Sequence, residues 1–553
     1  MNNIIKEYKN YFRDNYRDLK PTIITYGSNS YGDNFNDLDV CIVIEGHLHE
    51  DEEISIIDFT REFSLRHGLR IDEEIPYKNK LLYTLNEVEE FVMSNPFITS
   101  KGNCMITDIE KTQQFLASRT MKHRLLLNIL TTKHVVVYGN KQLISFCEYE
   151  AWKTIIRSLD LYYDNKLNSI DDYVKGMQTN LKTKCEGEYF LGYKNQIEKS
   201  EYLIEKLEEI LPILLKEKIN LSTNLNPYYP TPSMKQILYN NIDKVSIYPE
   251  NKDSNLIKVV SECFGVNRKS ILITNGVLEG LHLMVTKMEK KHIAIFSPSF
   301  WGYKNRLEIR QCNYTEFDIN KEIPWEEQIS CVAMNYDCII ICNPNNPTLH
   351  DVTLDKLRAI ILKYPKCHFI IDETMLCFRN NYREDTAVSL VRDNKNITVL
   401  VSMSKISGMC ALRCGLLFSN EEIVKDLGDN RALYTTNIWG QIIFGKYLKN
   451  ILNEKSYKFK IQEALQTFEN LLNKHYIKKI YGGKTIYIIV EFSDEICINE
   501  LVAYLDEHNV IVCNLRSAYP EMGSNAVRIS AGRIEEMVIT AKIINEFTEK
   551  YLK

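Results

Sequence analysis

Thr398-Val399-Leu400-Val401-Ser402-Met403-Ser404-Lys405, followed by Arg413 in Ala411-Leu412-Arg413-Cys414-Gly415, is the stretch whose reading decides the fold. The run Thr398 to Val401 is apolar or β-branched throughout and reads as a strand buried on both faces. A lysine at the tip of such a strand is badly placed for a solvated charge. It is well placed to condense with an aldehyde, because a desolvated amine sheds its proton more readily, and Arg413 offers a fixed cation for a phosphate nearby.

Working outward, the same pattern recurs twice upstream. Cys338-Ile339-Ile340-Ile341 runs into Cys342-Asn343-Pro344-Asn345-Asn346-Pro347-Thr348, and Phe369-Ile370-Ile371 delivers Asp372-Glu373-Thr374. Ligands of open α/β sheets sit outside the carboxyl ends of the strands, so Asn346, Asp372 and Lys405 are expected to converge on one crevice. Together with Arg413 they are the groups that pyridoxal phosphate (PLP) demands. The aspartate keeps the pyridinium nitrogen protonated, the asparagine bonds the ring oxygen, the lysine forms the Schiff base and the arginine grips the phosphate. Each residue alone has a plainer reading: the Asn-Pro string as a turn, the aspartate as a helix cap, the lysine as a surface residue. Their joint occurrence in one order outweighs those readings.

Residues 220–553 resemble the fold type I aminotransferases, in the branch of histidinol-phosphate aminotransferase and threonine-phosphate decarboxylase. The resemblance implies roles for further residues. Asn226, in Asn224-Leu225-Asn226-Pro227, lies on the substrate side, and Tyr248 reaches the cofactor phosphate of a partner subunit, which implies a homodimer. Gly276, Val277 and Leu278 open a helix whose free N–H groups cradle the phosphate. Ser402 and Ser404 join the cofactor-binding set, and Phe300 stacks on the pyridine ring, with Trp301 as the alternative register. Arg528, in Val527-Arg528-Ile529-Ser530, takes the substrate carboxylate in two-pronged fashion. Two positions depart from the family pattern: Met375 stands where a tyrosine usually bonds the ring oxygen, and Leu349 replaces a glycine. These leave open whether the enzyme transaminates or decarboxylates its amino acid or phosphorylated amino substrate.

The N-terminal third carries a different pattern. Pro21 to Tyr26 reads as a strand entering the turn Gly27-Ser28, and Asp37-Leu38-Asp39 opens a second strand through Ile44. Strand alternation puts Asp37 and Asp39 on one face, where paired carboxylates suit a hard divalent cation such as Mg2+. Arg70 to Ile75 adds a third acidic strand, with Asp72 or Glu74 as its metal ligand. An acidic strand edge that protects a sheet from aggregation is the plainer reading. The combination instead resembles the minimal nucleotidyltransferase superfamily, which includes the antibiotic nucleotidyltransferases. That resemblance implies a nucleoside triphosphate held by Gly27 and Ser28 and Mg2+ held by Asp37, Asp39 and Asp72. A domain that binds nucleotide without turnover is the alternative.

The 553 residues exceed what a single core supports, so several domains are expected. Boundaries are placed at 1–107 for a nucleotidyltransferase core, 108–219 for a helical subdomain and junction, and 220–553 for the PLP part, whose small C-terminal portion begins near 445. Within the middle region Leu125–Leu130, Ala151–Ile156 and Ile197–Leu215 have helical apolar spacing. The charged stretch Glu205–Lys218 reads as a stiff solvated helix, and the aromatic Gly187–Tyr193 as core. Asn437–Lys460 is expected as one long helix and Lys484–Phe492 as a strand. A net charge of −5 with both signs interspersed gives no basic footprint for nucleic acid. Fifteen scattered cysteines suit a reducing compartment, and no apolar run of membrane-spanning length occurs, so a cytoplasmic enzyme off the membrane is expected. The expected class is thus α/β throughout: a bifunctional enzyme acting on a small amino substrate and a nucleoside triphosphate.

Overall fold

The computed structural model describes residues 3–27, 37–71, 77–104, 114, 117–180, 197–250 and 254–550. Ser28, Asp72, Glu74 and the segment 187–193, all singled out above, lie outside the described residues. Contacts divide the chain into two compact units, one of Met1–Lys218 with Thr231–Gln236 and Ile534–Ile539, the other of Ile219–Pro230, Ile237–Arg533 and Thr540–Lys553.

The first unit is built from α1 (Asn3–Asn15), β1 (Pro21–Thr25), β2 (Val40–Ile44), α2 (Glu50–Arg66), β3 (Leu82–Thr84), α3 (Leu85–Val92), α4 (Arg119–Thr131), β4 (Val135–Tyr138), α5 (Lys141–Tyr162), α6 (Ile170–Asn180) and α7 (Ile197–Leu214). Its sheet runs in the order β3-β2-β1-β4. β1 is antiparallel to β2 and β4, and β3 is parallel to β2. β1 and β2 are buried along their whole length, as continuous apolar runs require. One side of the sheet packs on Tyr8 and Phe12 of α1 and on Ile56 and Phe63 of α2.

Two expectations for this unit change. The second strand starts at Val40, not Asp37. Asp37 forms an isolated parallel bridge with Arg70, and Val40 N donates back to Leu38 O at 3.2 Å, so Asp37 and Asp39 lie on the approach to the strand rather than in its regular two-residue alternation. The junction helix α7 is charged on one face only. Leu203, Leu207, Ile210, Leu211 and Leu214 are buried at helical spacing, while Lys206 pairs outward with Glu148 at 3.1 Å and Glu209 at 3.3 Å.

The second unit centres on a sheet of seven strands: β5 (Ile271–Thr274), β6 (Ile293–Ser297), β7 (Tyr314–Asp318), β8 (Cys338–Cys342), β9 (His368–Asp372), β10 (Ile397–Ser402) and β11 (Gly415–Ser419). Their order is β5-β11-β10-β9-β8-β6-β7. All neighbours are parallel except β11, which is antiparallel to β5 and β10. Helix α8 (Val277–Lys287) lays Leu281, Met284 and Val285 on Ile340, Ile370, Leu400 and Leu417. A smaller antiparallel sheet follows, in the order β12 (Ile477–Gly482), β13 (Tyr487–Phe492), β15 (Ala526–Ser530), β14 (Cys513–Asn514).

The helix expected over 437–460 is broken in two, α9 (Ile438–Asn453) and α10 (Ser456–Leu471). The physical reason is local: Asn453-Glu454-Lys455-Ser456 presents no apolar residue to hold a further turn to the core, and Glu454 adopts an extended conformation at φ −65°, ψ 114°.

Candidate active site

The register of β8, β9 and β10 sets the site. Asp372 lies opposite Cys342 on one side and Leu400 on the other, so the segments that leave these parallel strands emerge from one edge of the sheet. β10 carries its chain two residues further, through Val401 and Ser402, before Met403–Ile406 turns as a short helix bearing Lys405.

Lys405 donates through Nζ to the carbonyl oxygen of Thr223 at 2.7 Å. Burial lowers its pKa, and the positive charges of Arg528 and, to a lesser degree, Arg413 lower it further, against an opposing effect of Cys410. The backbone around it is braced by Asn226, whose N–H donates to Lys405 O at 3.0 Å and whose Nδ2 donates to Ile406 O at 2.9 Å. Asn226 Oδ1 also accepts from Tyr228 N at 3.0 Å, so this side chain holds the lysine turn in place.

Three asparagines follow β8, and the structure separates their duties. Asn343 exchanges two hydrogen bonds of 2.9 Å with the backbone of Val352, and Asn345 donates to Pro298 O at 2.9 Å. Asn346 Oδ1 instead accepts from Arg528 Nη1 at 2.6 Å. Arg528 Nη2 donates to Ser222 O at 2.8 Å, and the ring of Tyr487 lies 5.5 Å from the guanidinium carbon. Arg528 is buried, and its Nε has no partner among the described residues.

Asp372 is buried at the tip of β9. Thr374 N donates to its Oδ1 at 2.9 Å and Tyr303 Oη donates to its Oδ2 at 2.8 Å. Burial raises its pKa, and these two donors work against that. Its neighbour Glu373 points elsewhere. It takes hydrogen bonds from Thr386 Oγ1 at 2.5 Å and Ala387 N at 2.6 Å, and burial pushes it up to about 8. Met375 is buried and brings no donor. Phe300 is partly buried and meets Tyr303 edge-on, with centroids 5.5 Å apart, whereas Trp301 is 58% exposed.

A candidate phosphate cradle lies where β5 meets α8. Gly276 caps the helix at φ 77°, and a Cβ there would collide with the Arg413 guanidinium. A Cβ at Gly415 would collide with Gly276 C and Val277 N. Val277 and Leu278 stand in the first turn, whose N–H groups have no partner within the helix. Ser404 Oγ is buried with no hydrogen-bond partner among the described residues, and Ser402 is buried beside it. An orphaned hydroxyl, an arginine close to a glycine and a helix N-terminus suit an anionic phosphate, and Arg413 is near enough to Lys405 for its charge to act on the amine. Tyr248 stands apart, 79% exposed, with its ring 5.0 Å from that of Tyr434. Sequence reasoning missed Tyr303 and the carbonyls of Ser222 and Thr223. Tyr303 could have been found from its place one helical turn after Phe300; the carbonyls leave no mark in side-chain identity.

In the first unit Gly27 takes φ +57°, and a Cβ there would collide with the Asp39 carboxylate. Tyr26 N donates to Asp39 O at 3.1 Å. Among the described residues no group of three His, Cys, Asp or Glu forms a metal cluster, and the third acid expected there, Asp72 or Glu74, lies outside them.

The chain matches the model of the class I and II aminotransferases over residues 216–544. It belongs to that family. The histidinol-phosphate aminotransferase of Brachyspira hyodysenteriae is 25% identical over 336 residues, 59% of this chain and 90% of that protein. L-threonine-O-3-phosphate decarboxylase from Porphyromonas gingivalis shares the fold with a TM-score of 0.53 and 20% identity, over 60% of this chain and 99% of that one. Histidinol-phosphate aminotransferase from Sinorhizobium meliloti, solved in complex with pyridoxal-5'-phosphate, gives a TM-score of 0.54 at 16% identity, over 61% and 92% of the two chains. The C-terminal region of this aminotransferase family member is therefore a fold type I PLP enzyme, and the residues of its cradle fit that cofactor. No helix among the described residues is long and apolar enough to cross a membrane.

The lowered pKa of Lys405 has a measurable consequence. The amine condenses only when uncharged, so the rate of PLP uptake by apoprotein should rise with pH along a limb lying below the ordinary lysine range. Arg528→Gln removes one of the charges that depress it and should move that limb upward, read by the growth of the PLP absorbance in stopped flow. A limb that stays in place after this substitution would contradict the electrostatic assignment.

Proposed function

We propose that the chain is a bifunctional small-molecule enzyme: a PLP-dependent aminotransferase acting on an amino acid or phosphorylated amino compound, joined to a Mg2+-dependent nucleotidyltransferase. The observation that carries the first part is the Lys405 amine, withdrawn from water, beside Arg528 and at the same sheet edge as Asp372. When bound, PLP supplies an aldehyde and a ring that draws electrons from the substrate Cα. The chain's residues do the remainder. Arg413, Ser404, Ser402 and the N–H groups of Val277 and Leu278 would hold the phosphate, Asp372 would keep the ring nitrogen protonated, and Asn346 would serve the ring oxygen. Phe300 would cover a ring face. Arg528 takes the substrate carboxylate, which must compete with Asn346 Oδ1 and Ser222 O for its terminal nitrogens. With substrate in place, Lys405 would serve as the base that moves the Cα proton.

Met375 favours a second reading. A buried thioether in place of a phenol withdraws a donor from the ring oxygen, and which bond at Cα breaks depends on how substrate and ring are held. Decarboxylation of a phosphorylated amino acid through the same lysine is that reading.

For the first unit, the support is the turn at Gly27 pressed against the Asp39 carboxylate beside β1 and β2. Asp37 and Asp39, with Asp72 or Glu74, would hold Mg2+, and Gly27 and Ser28 would meet the triphosphate. An acceptor hydroxyl or phosphate oxygen attacks the α-phosphorus and pyrophosphate leaves. A nucleotide sensor without turnover is the competing reading of this unit. A homodimer completes the proposal: Ile242, Val245, Ile247, Tyr248, Leu433 and Tyr434 are all strongly exposed large apolar residues, and a second copy is the occupant that suits them.

Four measurements test these readings. Lys405→Ala should lose the borohydride-reducible PLP adduct; an adduct that persists on another lysine defeats the central assignment. With a panel of amino acids and phosphorylated amines, carbon dioxide release without consumption of a keto acid would replace transamination by decarboxylation. Pyrophosphate release from one of the four triphosphates with Mg2+ should fall to background in Asp39→Asn, whereas no release with any acceptor favours the sensor. Sedimentation should give a dimer that Tyr248→Asp with Val245→Asp dissociates, and a wild-type monomer overturns the dimer.

A further inference from the structure

We propose that Tyr303 is a positioning residue for the cofactor, acting through Asp372; the inference rests on the PLP reading of the site. Its hydroxyl lies 2.8 Å from Asp372 Oδ2, and both side chains are buried, Tyr303 to 2% exposure and Asp372 to 3%. Direction follows from chemistry. An ionised carboxylate accepts only, so the phenol must donate to it. Burial and the nearby Asp372 charge hold the Tyr303 pKa well above its ordinary value, so the phenol keeps its proton throughout the range in which the enzyme works. The other carboxylate oxygen is fixed by Thr374 N at 2.9 Å.

The two donors do different things. Thr374 N belongs to the chain that leaves β9 and cannot be separated from Asp372 in sequence. Tyr303 arrives from elsewhere, on the helix Gly302–Ile309, and its ring meets Phe300 at 84°. One residue thus ties the face-covering aromatic to the carboxylate that would serve the ring nitrogen. A carboxylate in an apolar site tends to take up a proton, and a neutral Asp372 would not stabilise a positive ring nitrogen. A fixed donor counters that tendency and sets the direction of the oxygen lone pairs before the cofactor arrives. Tyr303 itself need not touch substrate or cofactor.

The experiment is a PLP titration of apoprotein from wild type, Tyr303→Phe, Asp372→Asn and the double variant, between pH 5.5 and 9. Loss of a hydrogen bond to a charged group weakens affinity about ten- to a hundredfold. Tyr303→Phe should show a loss of that size, with the fall in affinity on acidification beginning at higher pH than in wild type. In the Asp372→Asn background the same substitution should cost little, because a residue that acts through Asp372 has nothing left to act on. Thermal unfolding of the four apoproteins checks that packing is kept. Equal affinity and an unmoved acid limb in Tyr303→Phe overturn the proposal, as does a loss of equal size in the Asp372→Asn background, which marks a packing role. Failure of wild type itself to bind PLP at Lys405 defeats the reading of the site instead, and so is told apart.

Discussion

The structure of the second unit depends on the in-register parallel alignment of β8, β9 and β10. Pairing Asp372 with Cys342 and Leu400 puts one sheet edge in charge of the asparagine loop, the carboxylate and the lysine turn. The cost of that arrangement is a polar cluster above a dry sheet. β8 and β9 are buried along their length, and burial acts on the two charged groups at the edge in opposite senses, raising Asp372 and lowering Lys405. Both shifts oppose the charged form. For the lysine that is the useful direction, since its task needs a free amine. For the aspartate it is the wrong direction, and Asp372 has a donor on each oxygen, whereas Lys405 donates to the Thr223 carbonyl.

The glycines at the cradle follow from the same constraint. β11 runs antiparallel between β5 and β10, so the turn that begins it must pass close to the turn that ends β5. Gly415 sits opposite Thr274 on one side and Ser402 on the other, and there is no room at its Cα for a side chain against Gly276 and Val277. Close approach brings the free N–H groups of α8 near the hydroxyls that follow β10. Arg413, at φ 46° in the left-handed region, is held at the bend between them. A non-glycine residue in that region costs about one kcal/mol, and the Arg413 guanidinium, which donates to Cys410 O at 3.3 Å, lies where a Cβ on Gly276 would collide with it.

Much of this was legible because the residues concerned end continuous apolar runs. An unbroken buried strand followed at once by Asn-Pro, Asp-Glu or Ser-x-Ser-Lys leaves few registers to choose from, so Asn346, Asp372 and Lys405 fell at one edge without any coordinates. Legibility failed where the decisive contact is between residues far apart in sequence or lies in the backbone. Tyr303 meets Asp372 across 69 positions, and the carbonyls of Ser222 and Thr223 serve Arg528 and Lys405 through atoms that every residue carries. The break between α9 and α10 was missed because helical periodicity was extended across Asn453–Ser456, where no apolar residue supports it. At the N-terminus, Asp37 and Asp39 were assigned to a strand whose regular span is Val40–Ile44, although Asp39 O still accepts from Tyr26 N; local alternation gives no warning of where a regular ladder starts.

On the proposed reading, Arg528 links substrate entry to cofactor geometry. Its terminal nitrogens are engaged by Asn346 Oδ1 and Ser222 O, and an arginine with both prongs engaged cannot take a carboxylate bidentately without releasing at least one. Ser222 O is a backbone atom in a segment tied to β15 through Asn224 and Ser530. Asn346 is a side chain that can turn about its own torsions. On the proposed reading Asn346 is therefore the partner that would give way to a carboxylate, and because it is also the side chain assigned to the ring oxygen, substrate binding would alter the hydrogen bonding proposed for the cofactor. Met375 would strengthen that dependence, since a buried thioether offers the ring oxygen no donor of its own.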